Sequence, residues 1–321
     1  MYDVSIVIVS YNTKNLTRKC LLSVQKFAGN VSHEVIVVDN ASSDGSAEMI
    51  ESEFNWVKLI RLSNNLGFAA GNNRAIEVAK GRYILLLNSD AFLDKGILEN
   101  TIAYMDKNPR IGVLGCKLIN PDGTLQPSAR SLPSPLNKIL HISGLSSRFP
   151  KSRFFGRVDY SWWDHSAPKI VGWVVGAYFL IREETISQIG CLDERYFLYF
   201  EEIDFCLSAK RAGWDVVFYP LAEVVHIGGQ SSLLTNQIIS EKGRQRVSIR
   251  LKSEFRYYRK MYGVLSVIIS AFIESAWNIT VMIKNLISKN KESQNKITQS
   301  RIHLRLIFKT LINDKFGKGQ N

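Results

Sequence analysis

The sequence predicts an α/β protein: an open, mostly parallel sheet followed by a helical tail. Short β-branched apolar runs recur with helix-length segments between them, and polar residues gather just after those runs. From about residue 233 the texture changes to long helical patterning. Val4 to Val9 and Val35 to Val38 are strand-like runs separated by a helical stretch, Asn15 to Ala28, that ends near Gly29, which makes a β-α-β unit. The alternation continues with a helix over 69–79, a strand over 83–87, a helix over 95–107 and a strand over 112–118. Strands covered on both faces by crossover helices lack polar alternation, and these runs lack it. Residues 120–168, rich in Pro, Ser, Gly and aromatics, read as long loops over the sheet. A strand over 171–181, a helix over 201–212 stopped by Gly213, and extended segments over 216–219 and 224–227 follow.

At 321 residues, 45% of them hydrophobic, the chain can bury a large core. Its formal charge of +12 is unevenly placed. Residues 242–321 hold 17 Lys or Arg against 4 Asp or Glu, which leaves 24 against 25 in the rest. The excess therefore belongs to the tail, where the cations alternate with long aliphatic runs. That pattern suits an anionic membrane surface, and no nucleic-acid partner is expected. The apolar stretch 262–287 is interrupted by Glu274, Asn278 and Lys284, so it reads as an interfacial helix and not as a span. The other reading of the same pattern is a helix packed on the first domain or in a homo-oligomer. Four scattered cysteines without a CxxC pair suggest neither a zinc site nor a disulfide framework, and a cytoplasmic location is expected. The opening residues read as a first strand, not as a secretory leader.

In open parallel sheets ligands bind beyond the carboxyl ends of the strands. Three such ends carry polar residues: Ser10, Tyr11 and Asn12; Asp39 and Asn40; Asn88, Ser89 and Asp90. Asp39 can accept hydrogen bonds from a base or ribose, or can be a turn residue. Asp90 suits a divalent cation bridging phosphates, or can cap a helix. The segment NNLGFAAGNN at 64–73, with Gly67, Phe68 and Asn72, puts glycines around a helix start where backbone N–H groups can approach a phosphate. It matches neither a dinucleotide fingerprint nor a P-loop. Glu201, Glu202 and Asp204 open a helix behind an aromatic run, where like charge and burial raise a carboxyl pKa toward that of a general base. His226 is either a structural residue or a metal ligand.

In order, SIVIVSYN (5–12), VVDNASSDGS (37–46), NNLGFAAGNN (64–73), LLLNSDA (85–91), VGWVVGAYFLIRE (171–183), DERYFLYFEEIDFCLSAKRAGW (193–214) and HIGGQS (226–231) resemble glycosyltransferase family 2, in particular its rhamnosyltransferase-like bacterial enzymes of surface polysaccharide assembly. The resemblance implies a GT-A fold: a Rossmann-like, mostly parallel sheet with an acceptor-side subdomain and a C-terminal helical tail. It divides the chain into a catalytic domain over 1–232 (nucleotide half 1–118, acceptor half 119–232) and a basic tail over 233–321. It implies inverting transfer of a sugar, rhamnose by resemblance alone, from a UDP- or dTDP-sugar to a lipid-linked or polysaccharide acceptor at the inner face of the plasma membrane. By position, Asp39 would bind the base with Ser10, Tyr11, Asn12, Asn40, Gly67, Phe68, Asn72, Asn88 and Ser89 nearby. Asp90 and His226 would hold Mg or Mn. Glu202, the second acid of the pair, would be the general base, with Glu201 and Asp204 as alternatives. The sequence departs from the family pattern at Ser89, often a proline, and at Gly172, often an aspartate. Two other readings are a nucleotidyltransferase, whose glycine loop after the first strand is missing here, and a non-catalytic scaffold.

Overall fold

The computed structural model describes residues 2–228, 240–287 and 290–319. In chain order the elements are β1 (Tyr2–Ser10), α1 (Lys14–Phe27), β2 (His33–Asp39), α2 (Ser46–Glu53), β3 (Lys58–Arg61), α3 (Phe68–Ile76), β4 (Gly81–Leu87), β5 (Ala91–Phe92), α4 (Ile97–Lys107), β6 (Ile111–Ile119), β7 (Leu125–Gln126) and β8 (Ala129–Arg130). There follow α5 (Pro135–Ile142), α6 (Leu145–Arg148), a 3-10 turn at Phe155–Arg157, β9 (Lys169–Ile170), β10 (Trp173–Val174), β11 (Tyr178–Arg182), α7 (Glu183–Ile189), α8 (Glu201–Arg211), β12 (Asp215–His226), α9 (Glu241–Tyr262), α10 (Val264–Asn285) and α11 (Lys291–Asn313).

These elements form two compact units. The first comprises the described part of Met1–Leu132, Trp163–Tyr196 and Glu201–Gly228; the second comprises Pro133–Trp162, Phe197–Phe200 and the described part of Gly229–Asn321. The first unit is built on a sheet of order β3-β2-β1-β4-β11-β6-β12-β5. β3, β2, β1 and β4 run parallel, β11 is antiparallel between β4 and β6, and β12 is parallel to β6. Val4, Ile6, Ile8, Val35, Val37 and Leu85 lie on one face and share one core, and Val7, Ile36, Val38, Ile84 and Leu86 on the other face are buried too, so both faces of these strands leave water. On α1 the buried residues Thr17, Cys20, Leu21 and Val24 fall at helical spacing and turn one stripe inward. Asp44 accepts the backbone N–H of Lys14 at 2.8 Å, which satisfies an orphan donor at the start of α1.

The sheet departs from expectation in two places. The strand expected over 171–181 is broken: β10 pairs with β8 in a separate small sheet, and only β11 joins the main one. The two segments expected over 216–227 are one strand, β12, with an irregularity between Tyr219 and Glu223. Pro220 sits in that irregularity, where a residue without an N–H is tolerated.

The second unit gathers α5, α6, α9, α10 and α11, so 133–162, expected as loops of the acceptor half, packs with the C-terminal helices instead. Ser134 caps α5 by accepting the N–H of Asn137, and Pro135 follows at the first turn, where its missing N–H costs nothing. At eight residues α5 is too short to announce itself by periodicity. Its Lys138 binds Glu254 of α9 and donates to Glu274 Oε2 of α10 at 2.6 Å and to Ser270 Oγ at 2.8 Å. Arg250 joins both carboxylates, and His303 Nε2 of α11 lies 2.8 Å from Glu274 Oε1. Glu274 and Asn278, expected as interruptions in an apolar surface, are in fact buried. α10 is long and apolar enough to cross a membrane by length and composition.

Candidate active site

The carboxyl ends of β1, β2 and β4 are cross-tied into one edge of the first unit. The Asn12 N–H donates to Ser42 Oγ at 3.0 Å, and Asn12 Oδ1 accepts from the Ser43 N–H at 2.8 Å, joining the turns after β1 and β2. Asn12 takes a φ of 53°, a left-handed conformation that asparagine tolerates better than most residues. Thr13 Oγ1 and Ser89 Oγ lie 3.2 Å apart, which ties the turn after β1 to the one after β4.

Asp39 is 4% exposed. Its Oδ2 accepts the Ser42 N–H at 3.0 Å, while its buried Oδ1 has no protein partner. A buried carboxylate oxygen with a vacant lone pair can accept a further hydrogen bond. Asn40, beside it, is fully committed: Nδ2 donates to Asn65 Oδ1 and to the Gly67 carbonyl, and Oδ1 accepts the Leu66 N–H. It shapes the loop that leads into α3. Gly71 of that helix faces Val9, and an added Cβ would sit 3.1 Å from Val9 Cγ1, so the helix lies close on β1.

Ser10 and Asn72 stand behind the edge and not on it. Ser10 is buried against the hydroxyls of Thr13 and Thr17, and Asn72 Nδ2 donates to the Phe68 carbonyl within α3. Tyr11 is 48% exposed at the edge itself, and Phe68 is half-buried.

Asp90 and His226 meet across the sheet, their Oδ1 and Nε2 3.1 Å apart. The strand pairing His226↔Ala91 and the Ile227 N–H donating to the Asp90 carbonyl at 3.0 Å hold them there. Gln126 fixes the imidazole. Its Nε2 donates to Asn120 Oδ1 at 3.0 Å, which turns its Oε1 toward His226 Nδ1 at 2.6 Å. The network therefore puts the proton on Nδ1 and leaves Nε2 as a lone pair facing a carboxylate oxygen, with only a long 3.4 Å approach from Asn88 Nδ2. Two acceptors at that distance call for a cation or a proton between them. Adjacent ligands of an octahedral cation at about 2.1 Å stand about 3.0 Å apart, so this pair fits two neighbouring positions of a hard divalent ion. Among the described residues no group of three or more His, Cys, Asp or Glu is placed to hold a metal ion.

Glu201, Glu202 and Asp204 share the first turn of α8, where carboxylates also complement the helix dipole. The helix gives them different surroundings. Burial, followed by the Glu202 charge, raises Glu201 well above the carboxylate range. Asp204, 4% exposed, accepts the Tyr196 hydroxyl at 3.3 Å. Glu202 is only half-buried, and its stem lies against Gly176, whose added Cβ would sit 3.9 Å from the Glu202 Cβ and Cγ. The next residue, Ala177, accepts the Asn88 N–H at 3.1 Å, so Glu202 stands beside the end of β4. Burial pushes its pKa up to about 7, partly opposed by backbone N–H groups and Arg130.

Sequence reasoning missed Gln126, which comes from a two-residue strand and carries no local signature. It also missed Asn73, the last residue of NNLGFAAGNN, which donates to the Leu192 carbonyl at 2.8 Å and accepts the Leu192 N–H at 3.1 Å. Asn73 thereby ties α3 to the segment that leads toward α8. Of the motif HIGGQS, residues 229–231 lie outside the described residues.

A parallel sheet with its polar and acidic residues at the strand ends, followed by an acid-started helix and a strand-terminal histidine, is the GT-A arrangement. The chain belongs to glycosyl transferase family 2, whose model matches residues 5–163. It is 30% identical over 203 residues to the N-acetylglucosaminyl-diphospho-decaprenol L-rhamnosyltransferase of Mycobacterium tuberculosis, a stretch covering 60% of this chain and 66% of the relative's length. It is 24% identical over 265 residues to the rhamnosyltransferase WbbL of Escherichia coli K12, covering 79% of this chain and 92% of that one. Among solved structures it is similar in fold to the mannosyltransferase PcManGT from Pyrobaculum calidifontis in complex with GDP-Man and Mn2+, with a TM-score of 0.55 at 14% identity over 97% of this chain and 87% of that one.

Proposed function

We propose that the chain is an inverting, cation-dependent hexosyltransferase that moves a sugar from a UDP- or dTDP-sugar to a lipid-linked or growing polysaccharide acceptor, at the cytoplasmic face of the membrane. Rhamnose is the favoured sugar, on the strength of the rhamnosyltransferase relatives. The observation that carries the reading is the facing pair Asp90 Oδ1 and His226 Nε2 just past the end of β4. The Mn2+ of the mannosyltransferase neighbour supports the same assignment.

In this reading Asp39 Oδ1 receives the imide N–H of a uracil or thymine, and Tyr11 offers its exposed ring beside the base. Asp90 and His226 would hold Mg or Mn, which when bound neutralises charge on the departing diphosphate. Glu202 accepts the proton of the acceptor hydroxyl as that oxygen attacks the anomeric carbon. A single in-line displacement inverts the centre, and no covalent intermediate is needed. Its raised pKa suits a base that must take a proton near neutrality and later release it.

Two outcomes follow. Asp39→Ala is expected to raise the donor KM about tenfold to a hundredfold, the worth of a hydrogen bond to a charged group, and to leave kcat nearly unchanged. A steady-state comparison with a matched donor checks it. Gln126→Ala is expected to weaken Mn binding about tenfold to a hundredfold by freeing the imidazole, measured by titration calorimetry in the presence of nucleoside diphosphate. Unchanged Mn affinity in that variant would remove Gln126 from the site.

A further inference from the structure

In the second unit, α10 is turned inside out. Ser270, Glu274 and Asn278 are buried against its neighbours, while Leu265, Phe272 and Ile283 are 65%, 71% and 61% exposed on the opposite side. Val264, Ile268 and Ile279 continue that outward stripe along the helix, which is about 33 Å long at 1.5 Å per residue. Glu274 is the one Asp, Glu, Lys, Arg or His between Lys260 and Lys284, so the outward face is free of charge and has a cation beyond each end in the chain. α5, which reaches α10 through Lys138, adds Leu136 and Ile139 at 40% and 42% exposure. A second feature follows α5 in the chain. Residues 148–157 carry Arg148, Lys151, Arg153 and Arg157, all exposed, and no acid. Among them lies a cluster of Phe149, Phe154 and Phe155 with ring centroids 5.2 Å apart, Phe149 and Phe154 being 47% and 52% exposed.

We infer that this unit docks on an anionic lipid bilayer through two contacts far apart in sequence: the outward stripe of α10, lying in the plane of the interface, and the basic-aromatic segment 148–157, which engages headgroups. The inference deepens the membrane placement above, because it adds a contact outside residues 242–321 and fixes how α10 lies. Charge complementarity selects lipid as the occupant: the stripe carries no charge, Lys260 and Lys284 bracket it in the chain, and residues 148–157 add four exposed cations and two exposed aromatic rings with no acid among them. Spanning is disfavoured because the inner side of α10 carries Glu274 in an ion cluster with Lys138, Arg250 and His303, which hydrocarbon would not accommodate.

The test is flotation of the full chain with phosphatidylcholine vesicles with and without phosphatidylglycerol, followed by an alkaline carbonate wash, with quenching of Trp277 by brominated lipid as a second readout. The wild type is expected to float with the anionic vesicles, to be released by carbonate and to be quenched. Phe272→Asp and the fourfold Arg148→Ala, Lys151→Ala, Arg153→Ala, Arg157→Ala variant are each expected to lose about a hundredfold in partitioning. All these side chains are exposed, so circular dichroism should be unchanged. No flotation of the wild type, resistance to carbonate, binding unaffected by the fourfold change, or a dimer dissolved by Phe272→Asp would each overturn the inference; the last would make a second copy the occupant. Donor hydrolysis is measured on the same variants. Intact hydrolysis with lost flotation in the wild type sinks only the docking, and flotation without hydrolysis sinks only the catalytic reading.

Discussion

Glu202→Gln is expected to slow sugar transfer by about a hundredfold to ten-thousandfold, the usual contribution of a positioned general base, with nucleotide affinity retained. Three acids sit in one helical turn, and only Glu202 combines partial exposure with a place beside the end of β4, so the loss should be much smaller for Glu201→Gln. The acceptor proton can be taken only by the ionised carboxylate, and wild-type kcat should therefore climb as pH rises through about 7. That limb should vanish in the Gln variant. Stability supplies an independent sign. A carboxyl whose pKa is raised by folding from 4.5 to about 7 makes the folded state less stable as pH rises through that window. Glu202→Gln should consequently raise Tm at alkaline pH and leave it nearly unchanged in acid. A variant that loses both rate and stability at neutral pH would point to a structural glutamate instead.

The second large effect concerns the tail unit. Lys138→Met is expected to destabilise it by about 3–5 kcal/mol, because the carboxylates of Glu254 and Glu274, 5% and 7% exposed, lose one of the two cations they share and keep only Arg250 in common. Burial by itself would raise Glu274, but Arg250, His303 and Lys138 together hold it well below the carboxylate range. A group depressed in this way contributes stability that is present above its unfolded value of 4.5 and is lost as pH falls through its folded value. Denaturant unfolding at neutral pH should show the Lys138→Met loss, and Lys138→Met combined with Glu274→Gln should cost less than the sum of the two. Strict additivity would mean that the pair does not interact.

The parts of the fold that were legible from sequence are those where one physical constraint dominates. β1, β2, β4 and β6 are covered on both faces and so read as unbroken apolar runs, and their polar ends marked the site edge directly. Two-residue strands such as β7 and β8 carry no periodicity, and Gln126, 100 residues from its partner His226, had no local signal. The ion cluster was hidden for a related reason. Glu274 looked like a flaw in an apolar helix because Lys138, 136 residues earlier, is what makes its burial tolerable. Ser10, Asn40 and Asn72, expected at the edge, have their polar atoms spent on the protein, so they shape loops and leave Asp39 Oδ1 as the open acceptor.

Incubating the full chain with a panel of UDP- and dTDP-sugars, with Mg or Mn supplied or chelated, and measuring the nucleoside diphosphate released separates a glycosyltransferase from a scaffold. Cation-dependent release from one donor is expected, sharply reduced in Asp90→Ala and Glu202→Gln. If no donor turns over even with membrane extract as acceptor, and nucleoside diphosphates do not bind, the chain is a scaffold with this fold and not a glycosyltransferase.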